Sequence, residues 1–223
     1  MKNNKIKSIT AALCTGIFSL GLVSTAHATL ESRLGGLAYY DTDLDITWLA
    51  DANAGAGSSF DDGFATTDGL MTWANANAWA ASLNVGGVTG WRLPTSLNSD
   101  GSGPCSGFNC TDSEMGHLFY NELGGATGSS ILTSGDPDLA LFSNIQPNGY
   151  WSGTEYAPFP VLAWNFNFNR GNLFWDTKNS NLFAWAVHSG DVDASSVPEP
   201  GTVALMGLGL MGLLGLGRRQ RRR

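Results

Sequence analysis

The sequence predicts a domain of the α+β class, in which two helices pack on an antiparallel β-meander, with one further apolar helix at each end of the chain. Apolar residues recur at helical spacing in two central segments, 68–83 and 112–123. From residue 150 to residue 188 the pattern changes to short strands separated by turns. Helices that precede such a run of strands are typical of α+β proteins.

The N-terminus predicts a secretory signal peptide over residues 1–28. Three lysines precede a mostly apolar stretch from Ile9 to Val23. Ala26 and Ala28 then provide the small-x-small pattern of a signal-peptidase site. We therefore expect an N-terminal signal helix that is removed by cleavage after Ala28.

The C-terminus predicts a stop-transfer segment. Its three parts are a linker over residues 193–200 with the motif Pro198, Glu199 and Pro200, an apolar segment over residues 201–217, and an arginine-rich tail over residues 218–223. Guanidinium groups resist crossing a bilayer, so we expect a C-terminal membrane helix and a cytoplasmic tail. A buried core helix is the alternative, since the apolar run from Val203 spans only about 22 Å of a hydrocarbon core of about 30 Å.

This tail resembles the PEP-CTERM sorting signal of Gram-negative bacteria, which is recognised by the membrane protease-transpeptidase exosortase. The resemblance covers Val197 to Arg223 and includes all three parts of the signal. It implies that signal peptidase and exosortase process the chain, with the second cut near the Pro-Glu-Pro motif. It also implies an inner-membrane-anchored precursor that is delivered to the cell surface or the extracellular matrix, such as that of a biofilm.

The charge of the processed part differs from that of the whole chain. Residues 29–200 hold all 19 acidic residues but only four of the 12 basic ones, which leaves a net charge of −15. Such a domain repels a phosphate backbone, so we expect no nucleic-acid binding. Strong acidity is typical of a solvated extracellular protein and allows Ca²⁺ as a ligand.

Two cysteines remain after removal of the signal peptide. Cys105 and Cys110 lie in one Gly/Ser-rich loop. An even pair in an oxidising compartment predicts a local disulfide. A metal site is the alternative, but it would need two further ligands nearby.

The first elements of the domain are predicted to be a β-hairpin and a loop. Short β-prone pieces at residues 37–40 and 46–49 flank a polar turn that contains Asp41, Asp43 and Asp45. These three acids begin like an EF-hand loop, but the sixth position is not glycine and the twelfth is not glutamate. One interpretation is a Ca²⁺ site of a different kind formed by the three carboxylates. The other is that they hydrogen-bond their own turn.

Two helices are predicted next, with a short strand at residues 90–94 between them. The first covers residues 68–83, with Thr67 or Asp68 as its cap. The second covers residues 112–123 and begins with a capping-box pattern at residues 111–114. His117 lies off the apolar stripe of this helix, so we expect it to face solvent.

The last part predicts four antiparallel strands, at residues 150–156, 163–169, 172–176 and 182–188, with the last closing the meander. In the second strand Trp164, Phe166 and Phe168 alternate with asparagines, which predicts an apolar core face and a polar outward face. The candidate binding residues of this hairpin are Asn165, Asn167, Asn169, Arg170 and Trp175.

These side chains suit a carbohydrate ligand. Amides donate and accept hydrogen bonds to sugar hydroxyls without a buried charge, and a tryptophan offers apolar area to a sugar ring. The alternative is that the asparagines form only the polar half of a two-faced strand.

Several stretches of residues 29–192 resemble the Lcl C-terminal-like domain of bacterial surface proteins. They are residues 40–49, 73–83, 90–95, 150–156 and the hairpin that ends at Val187. That family is similar in fold to C-type lectins. The resemblance therefore implies a C-type-lectin-like domain with two helices, a terminal hairpin and a β-meander.

The residues do not indicate a Ser-His-Asp hydrolase. The processed chain has only His117 and His188, and it has no nucleophile-elbow sequence. We therefore expect no enzymatic activity and no cofactor other than Ca²⁺, and we predict a surface or matrix protein with a binding or adhesion domain for polysaccharide. The alternatives are a hydrolase or modifying enzyme that acts on extracellular polysaccharide, and a purely structural matrix component.

Overall fold

The computed structural model describes residues 30–193. The predicted signal peptide, the apolar C-terminal segment and the arginine-rich tail lie outside the described residues. The same holds for the predicted processing residues Ala26, Ala28, Pro198, Glu199 and Pro200. Within residues 30–193, no helix is long and apolar enough to cross a membrane.

The described chain is a mixed α+β domain. Its strands are β1 Leu30–Arg33, β2 Ala38–Asp41, β3 Ile46–Leu49, β4 Gly107–Phe108, β5 Gly149–Glu155, β6 Leu162–Asn167, β7 Asn172–Thr177 and β8 Val187–Ser189. Its helices are α1 Trp73–Ser82 and α2 Glu114–His117, which continues as a π-helical turn over Leu118–Glu122. Short 3₁₀ turns lie at Leu34–Gly36, Ile131–Thr133 and Pro137–Leu141.

The strands form two antiparallel sheets of four. One has the order β1-β2-β3-β8 and the other β4-β7-β6-β5. The predicted hairpin at residues 37–49 is confirmed as β2 and β3, with Asp41 opposite Ile46. The predicted meander is confirmed for β5, β6 and β7, with Trp164 opposite Trp175.

The prediction that residues 182–188 close the meander is wrong. Only β8 forms there, and it pairs with β3 of the other sheet, Val187 opposite Trp48. The residues before it make single bridges, Leu182 to Met71 and Phe183 to Tyr150. Because the segment 183–187 is buried throughout, it crosses the core between the two sheets. The predicted strand at residues 90–94 is likewise one bridge, between Arg92 and Val187.

The first helix is shorter than predicted. α1 begins at Trp73, and Thr72 is its N-cap without a side-chain hydrogen bond. Asp68, one of the two predicted caps, instead accepts hydrogen bonds from the backbone N–H groups of Ala65 and Leu70 and so holds a turn. The predicted start is wrong because apolar spacing marks the buried face of a helix and not its first residue.

The second helix differs from the prediction at both ends. Ser113 is the N-cap of α2, and its hydroxyl accepts a hydrogen bond from the N–H of Gly116. The capping-box prediction is wrong because the Glu114 carboxylate turns away from the helix start and binds Arg92. Two guanidinium nitrogens of Arg92 donate to Glu114 at 2.8 and 2.7 Å, and the N–H of Thr95 donates to the same carboxylate at 2.7 Å.

The predicted disulfide between Cys105 and Cys110 is present. The loop that it closes contains β4, which pairs with β7, Gly107 opposite Leu173. This loop is therefore attached to the edge of the second sheet. On one face of that sheet, Phe166 and Phe168 pack against Phe119 of the π turn, with ring centroids 5.5 and 5.7 Å apart.

Candidate functional site

The five predicted binding residues do not form one common surface in the structure. Asn165 is only 4% exposed, and its amide donates to a carboxylate oxygen of Asp176 at 3.2 Å. Asn167 is half-buried and its Oδ1 accepts the N–H of Asn169. Asn169 and Arg170 are exposed on the turn. The expected outward face of asparagines therefore needs correction, because it does not form one exposed ladder.

The burial of Asn165 has a structural cause. Trp151 lies opposite Asn165 on β5 and is fully buried. Its indole N–H donates to the backbone oxygen of Met71, so the segment that leads into α1 covers this face of the sheet. Burial raises the pKa of the Asp176 carboxyl, and the hydrogen bond from Asn165 opposes that shift.

Trp175, the fifth predicted residue, belongs to a row of stacked aromatic rings. This aromatic row consists of Phe159, Tyr156, Trp175 and Phe174, with neighbouring centroids 6.2, 4.7 and 4.6 Å apart. The outer rings are exposed, Phe159 by 61% and Phe174 by 47%, whereas the two inner rings are half-buried.

Trp164 packs against the aromatic row on the side that faces the core. It is buried, and its ring meets those of Tyr156 and Trp175 edge-on, at centroid distances of 5.4 and 5.3 Å. Such T-shaped contacts are favourable because the positive ring edge faces the negative ring face. The half-buried inner rings thus rest on the core, and the row presents a fixed apolar surface to solvent.

The three acidic residues of the β2–β3 turn also lie in different environments. Asp41 is fully buried, and its Oδ1 accepts the N–H groups of Asp43 and Leu44, both at 3.0 Å. Asp45 accepts a hydrogen bond from the hydroxyl of Tyr40. Asp43 and Asp45 are exposed. Within residues 30–193 these carboxylates do not form a shared group of candidate metal ligands, so the predicted arrangement needs correction.

Asp41 instead meets two residues from the second helical segment. His117 Nε2 lies 3.8 Å from Asp41 Oδ2 and 3.1 Å from Glu122 Oε1. All three side chains are buried, and their ligand atoms lie within 4.8 Å of one another. The expectation that His117 faces solvent is wrong, since it is 8% exposed. We call these three residues the buried triad.

The π turn is what brings His117 and Glu122 together. Residues five apart on an α-helix point roughly 140° away from each other, because each residue turns the helix by about 100°. The N–H of Leu123 bonds to the carbonyl of Leu118, the wider i→i+5 pattern of a π-helix. This wider turn places both side chains toward Asp41 at the end of β2.

The charges of the buried triad influence one another. Burial raises the pKa of Asp41 and of Glu122. Burial by itself lowers the pKa of His117, but the hydrogen bond with Glu122 and the negative charges of Asp41 and Asp43 outweigh it, so the net shift is upward. Asp41 Oδ2 has no hydrogen-bond donor among the described residues.

A cleft of about 380 Å³ lies next to this region. Its lining includes Asp43, Asp112, Glu114, Thr95 and Asn98. Glu114 is engaged by Arg92, whereas Asp43 and Asp112 are exposed carboxylates. The cleft is therefore polar and acidic, and none of its lining residues belongs to the β6–β7 hairpin.

Two features of these sites were not predicted from the sequence. The aromatic row needs residues 156–162 to fold back, which they do through a hydrogen bond from the N–H of Tyr156 to the carbonyl of Leu162. The prolines on both sides of Phe159 were a signal for such a turn. The buried triad gave no signal, because a five-residue spacing fits neither an α-helix nor a strand.

One comparison with known protein families gives a match. The family model of the PEP-CTERM protein-sorting motif matches residues 196–223. This confirms the sorting signal predicted from the Pro-Glu-Pro motif, the apolar stretch and the arginines. The chain therefore carries the C-terminal signal of an exported, exosortase-sorted protein. No curated protein and no solved structure matches the chain.

Proposed function

We propose that this exported protein is a non-enzymatic surface or matrix component that binds a neutral extracellular polysaccharide through its aromatic row. The observation that carries this proposal is the exposure of Phe159 and Phe174 at the two ends of a row that is fixed to the core by Trp164. Apolar ring surface of this kind matches the C–H face of a sugar ring.

The net charge of the domain favours a neutral polysaccharide as the ligand. Residues 29–200 carry a net charge of −15, so an anionic polysaccharide would be repelled over the whole domain. Of the basic side chains, Lys178 pairs with Glu155, at the end of β5 next to the row. The negative charge of the domain does not weaken the binding of a neutral polymer.

The proposed fold class is the C-type-lectin-like one of Lcl C-terminal-like domains, over residues 29–192. Three features support it: two helices, a sheet that contains both the first and the last described strands, and a second antiparallel sheet. We also propose that the apolar segment over residues 201–217 anchors the precursor in the inner membrane, with residues 218–223 in the cytoplasm, until exosortase cuts near residues 198–200.

The test is binding of the full-length chain, purified in mild detergent, to an array of neutral and acidic polysaccharides. We expect Phe174→Ala and Phe159→Ala each to weaken binding by roughly 5- to 30-fold, which corresponds to about 1–2 kcal/mol of apolar contact. Phe64→Ala is the matched control, because Phe64 is a 91% exposed phenylalanine outside the row. Equal binding by all three variants, or binding of acidic polymers alone, would contradict the proposal.

The cleft favours a second candidate, a hydrolase or modifying enzyme acting on extracellular polysaccharide. It brings the exposed carboxylates of Asp43 and Asp112 to one cavity that has no lining residue from the β6–β7 hairpin. Paired carboxylates are the groups that glycosidases use. Release of reducing ends from a bound polysaccharide, and its loss in Asp43→Asn and Asp112→Asn, would favour this candidate. Failure to bind any polymer would favour a structural matrix component.

A further inference from the structure

The buried triad of Asp41, His117 and Glu122 serves neither the aromatic row nor the sorting signal. We propose that it is a binding site for a divalent transition-metal ion of the zinc class. One carboxylate oxygen of Asp41, one of Glu122 and Nε2 of His117 are the protein ligands.

The burial of Asp41 is the first argument. Its side chain is fully buried, and Oδ2 has no hydrogen-bond donor among the described residues. A buried polar atom without a partner is costly, and a buried charge is more so. Oδ1 is held by the N–H groups of Asp43 and Leu44, so the carboxylate is fixed with Oδ2 directed at His117. A cation there supplies the missing partner.

The distances are the second argument. Zinc bonds to nitrogen and oxygen of about 2.0–2.2 Å place neighbouring ligand atoms about 3.4 Å apart in a tetrahedral site. His117 Nε2 lies 3.1 Å from Glu122 Oε1 and 3.8 Å from Asp41 Oδ2. These two distances bracket the tetrahedral value. All three ligand atoms lie within 4.8 Å of one another, so the side chains are near enough to share one ion.

The donor set indicates the class of metal. An imidazole together with two carboxylates is typical of zinc and related first-row ions, whereas Ca²⁺ and Mg²⁺ prefer oxygen ligands throughout. This differs from the Ca²⁺ site predicted from Asp41, Asp43 and Asp45, since only Asp41 is shared. Three protein ligands leave one position of a tetrahedral ion for water.

Asn121 is a positioning residue for His117. Its side-chain nitrogen Nδ2 lies 2.9 Å from His117 Nδ1. A metal-bound imidazole carries its proton on the other ring nitrogen and donates it to an acceptor. Metal binding therefore requires the Asn121 amide to turn over, so that its oxygen in place of its nitrogen faces the Nδ1–H group; the side chain is exposed, and the two ends of an amide are nearly identical in shape. The residue thereby selects the tautomer that leaves Nε2 available.

The acidic cleft lies close to Asp41, because Asp43 and Leu44 of its lining donate their N–H groups to that carboxylate. Asp43 lines the cleft, and its negative charge acts on both His117 and Glu122. Asp112 adds a second exposed carboxylate to the lining. Carboxylates at the mouth of a site raise the local concentration of cations.

The test is Zn²⁺ binding to the full-length chain in mild detergent after treatment with a chelator, measured by calorimetry and by thermal unfolding. We expect one saturable site and a higher unfolding temperature with Zn²⁺. Asp41→Asn and Glu122→Gln should each weaken binding by at least about tenfold. Asp62→Asn is the control, because it removes an exposed carboxylate that is neither a ligand nor part of the cleft lining. Equal affinity in all variants, or no saturable site in the unaltered protein, overturns the proposal.

A second measurement keeps the proposal testable if a variant does not fold. The unaltered protein is loaded with Co²⁺, which reports nitrogen and oxygen ligands through its visible absorption bands. We expect bands that Zn²⁺ abolishes and that a large excess of Ca²⁺ leaves unchanged. Absence of the bands, or their loss on addition of Ca²⁺, overturns the assignment to the zinc class.

Discussion

Arg92 and Glu114 form a two-pronged ion pair that joins the segment around residues 90–94 to the first residue of α2. Arg92 also exchanges backbone hydrogen bonds of 2.8 Å with Val187, the first residue of β8. The pair therefore links three parts of the chain that are distant in sequence. The buried Glu114 carboxylate accepts a third hydrogen bond from Thr95, so its negative charge is fully engaged.

Replacement of Glu114 by glutamine should lower the free energy of unfolding by about 1.5–3 kcal/mol, because hydrogen bonds to charged groups contribute about that much. Urea unfolding at neutral pH measures the change. Glu31→Gln is the control, since Glu31 pairs with Arg33 but is 45% exposed, and such a pair contributes about 0–1 kcal/mol. Equal effects of the two variants would show that the Arg92 pair has no special role in stability.

Gly116→Ala should destabilise the protein although alanine favours helices. A Cβ atom at residue 116 would lie 1.8 Å from the backbone oxygen of Cys110, a contact that only a shift of α2 can relieve. We expect a loss of more than about 1 kcal/mol, which exceeds the gain from helix propensity. Gly135→Ala is the control, because a Cβ atom there meets nothing within 4 Å. A variant at residue 116 that is as stable as this control would refute the contact.

The free energy of unfolding should fall at acid pH because the Asp191 carboxylate becomes protonated. Its carboxylate accepts two hydrogen bonds from Arg33, at 2.7 and 2.9 Å, and this hydrogen bonding holds the pKa of Asp191 below its usual value of 3.8. A group with a lowered pKa contributes stability that is present above pH 3.8 and is lost as the pH falls through the folded-state value. Thermal unfolding between pH 2 and pH 6 measures this loss. The Asp191→Asn variant should show a flatter acid limb, and an unchanged limb would contradict the assignment.

Replacement of Pro198, Glu199 and Pro200 by alanine should block the second processing step. The motif match at residues 196–223 indicates exosortase sorting, and alanine lacks the preference for extended backbone that proline imposes on a peptide. Immunoblots of cell fractions should then show a longer precursor in the membrane and less protein outside the cell. Normal release of the altered chain would mean that cleavage does not depend on this motif. Alanine at Val192 and Ser195 is the control, because both residues precede the matched motif.

Local patterns predicted the strands better than they predicted the sites. Alternation in residues 163–169 was enough to predict β6, because Trp164, Phe166 and Phe168 share one face. The same alternation could not reveal that Asn165 is buried, since its cover comes from Met71 and Trp151, far away in sequence.

The buried triad shows a second limit of local patterns. The prediction that His117 faces solvent assumed a regular α-helix over residues 112–123. The π turn at Leu118–Glu122 changes which side chains share a face. The position of Asp41 beside His117 depends on packing of β2 against this turn, and no local sequence pattern indicates that contact.

The two ends of the described chain leave from one sheet, since β1 and β8 are both members of it and Arg33 bonds to Asp191 just after β8. If the tail holds the protein to a cell, a pull on captured material is resisted at β8, the last described strand before the tail. That strand is only three residues long. Its pairing with β3, together with the Arg33–Asp191 ion pair, is therefore where we expect the domain of an attached protein to bear tension.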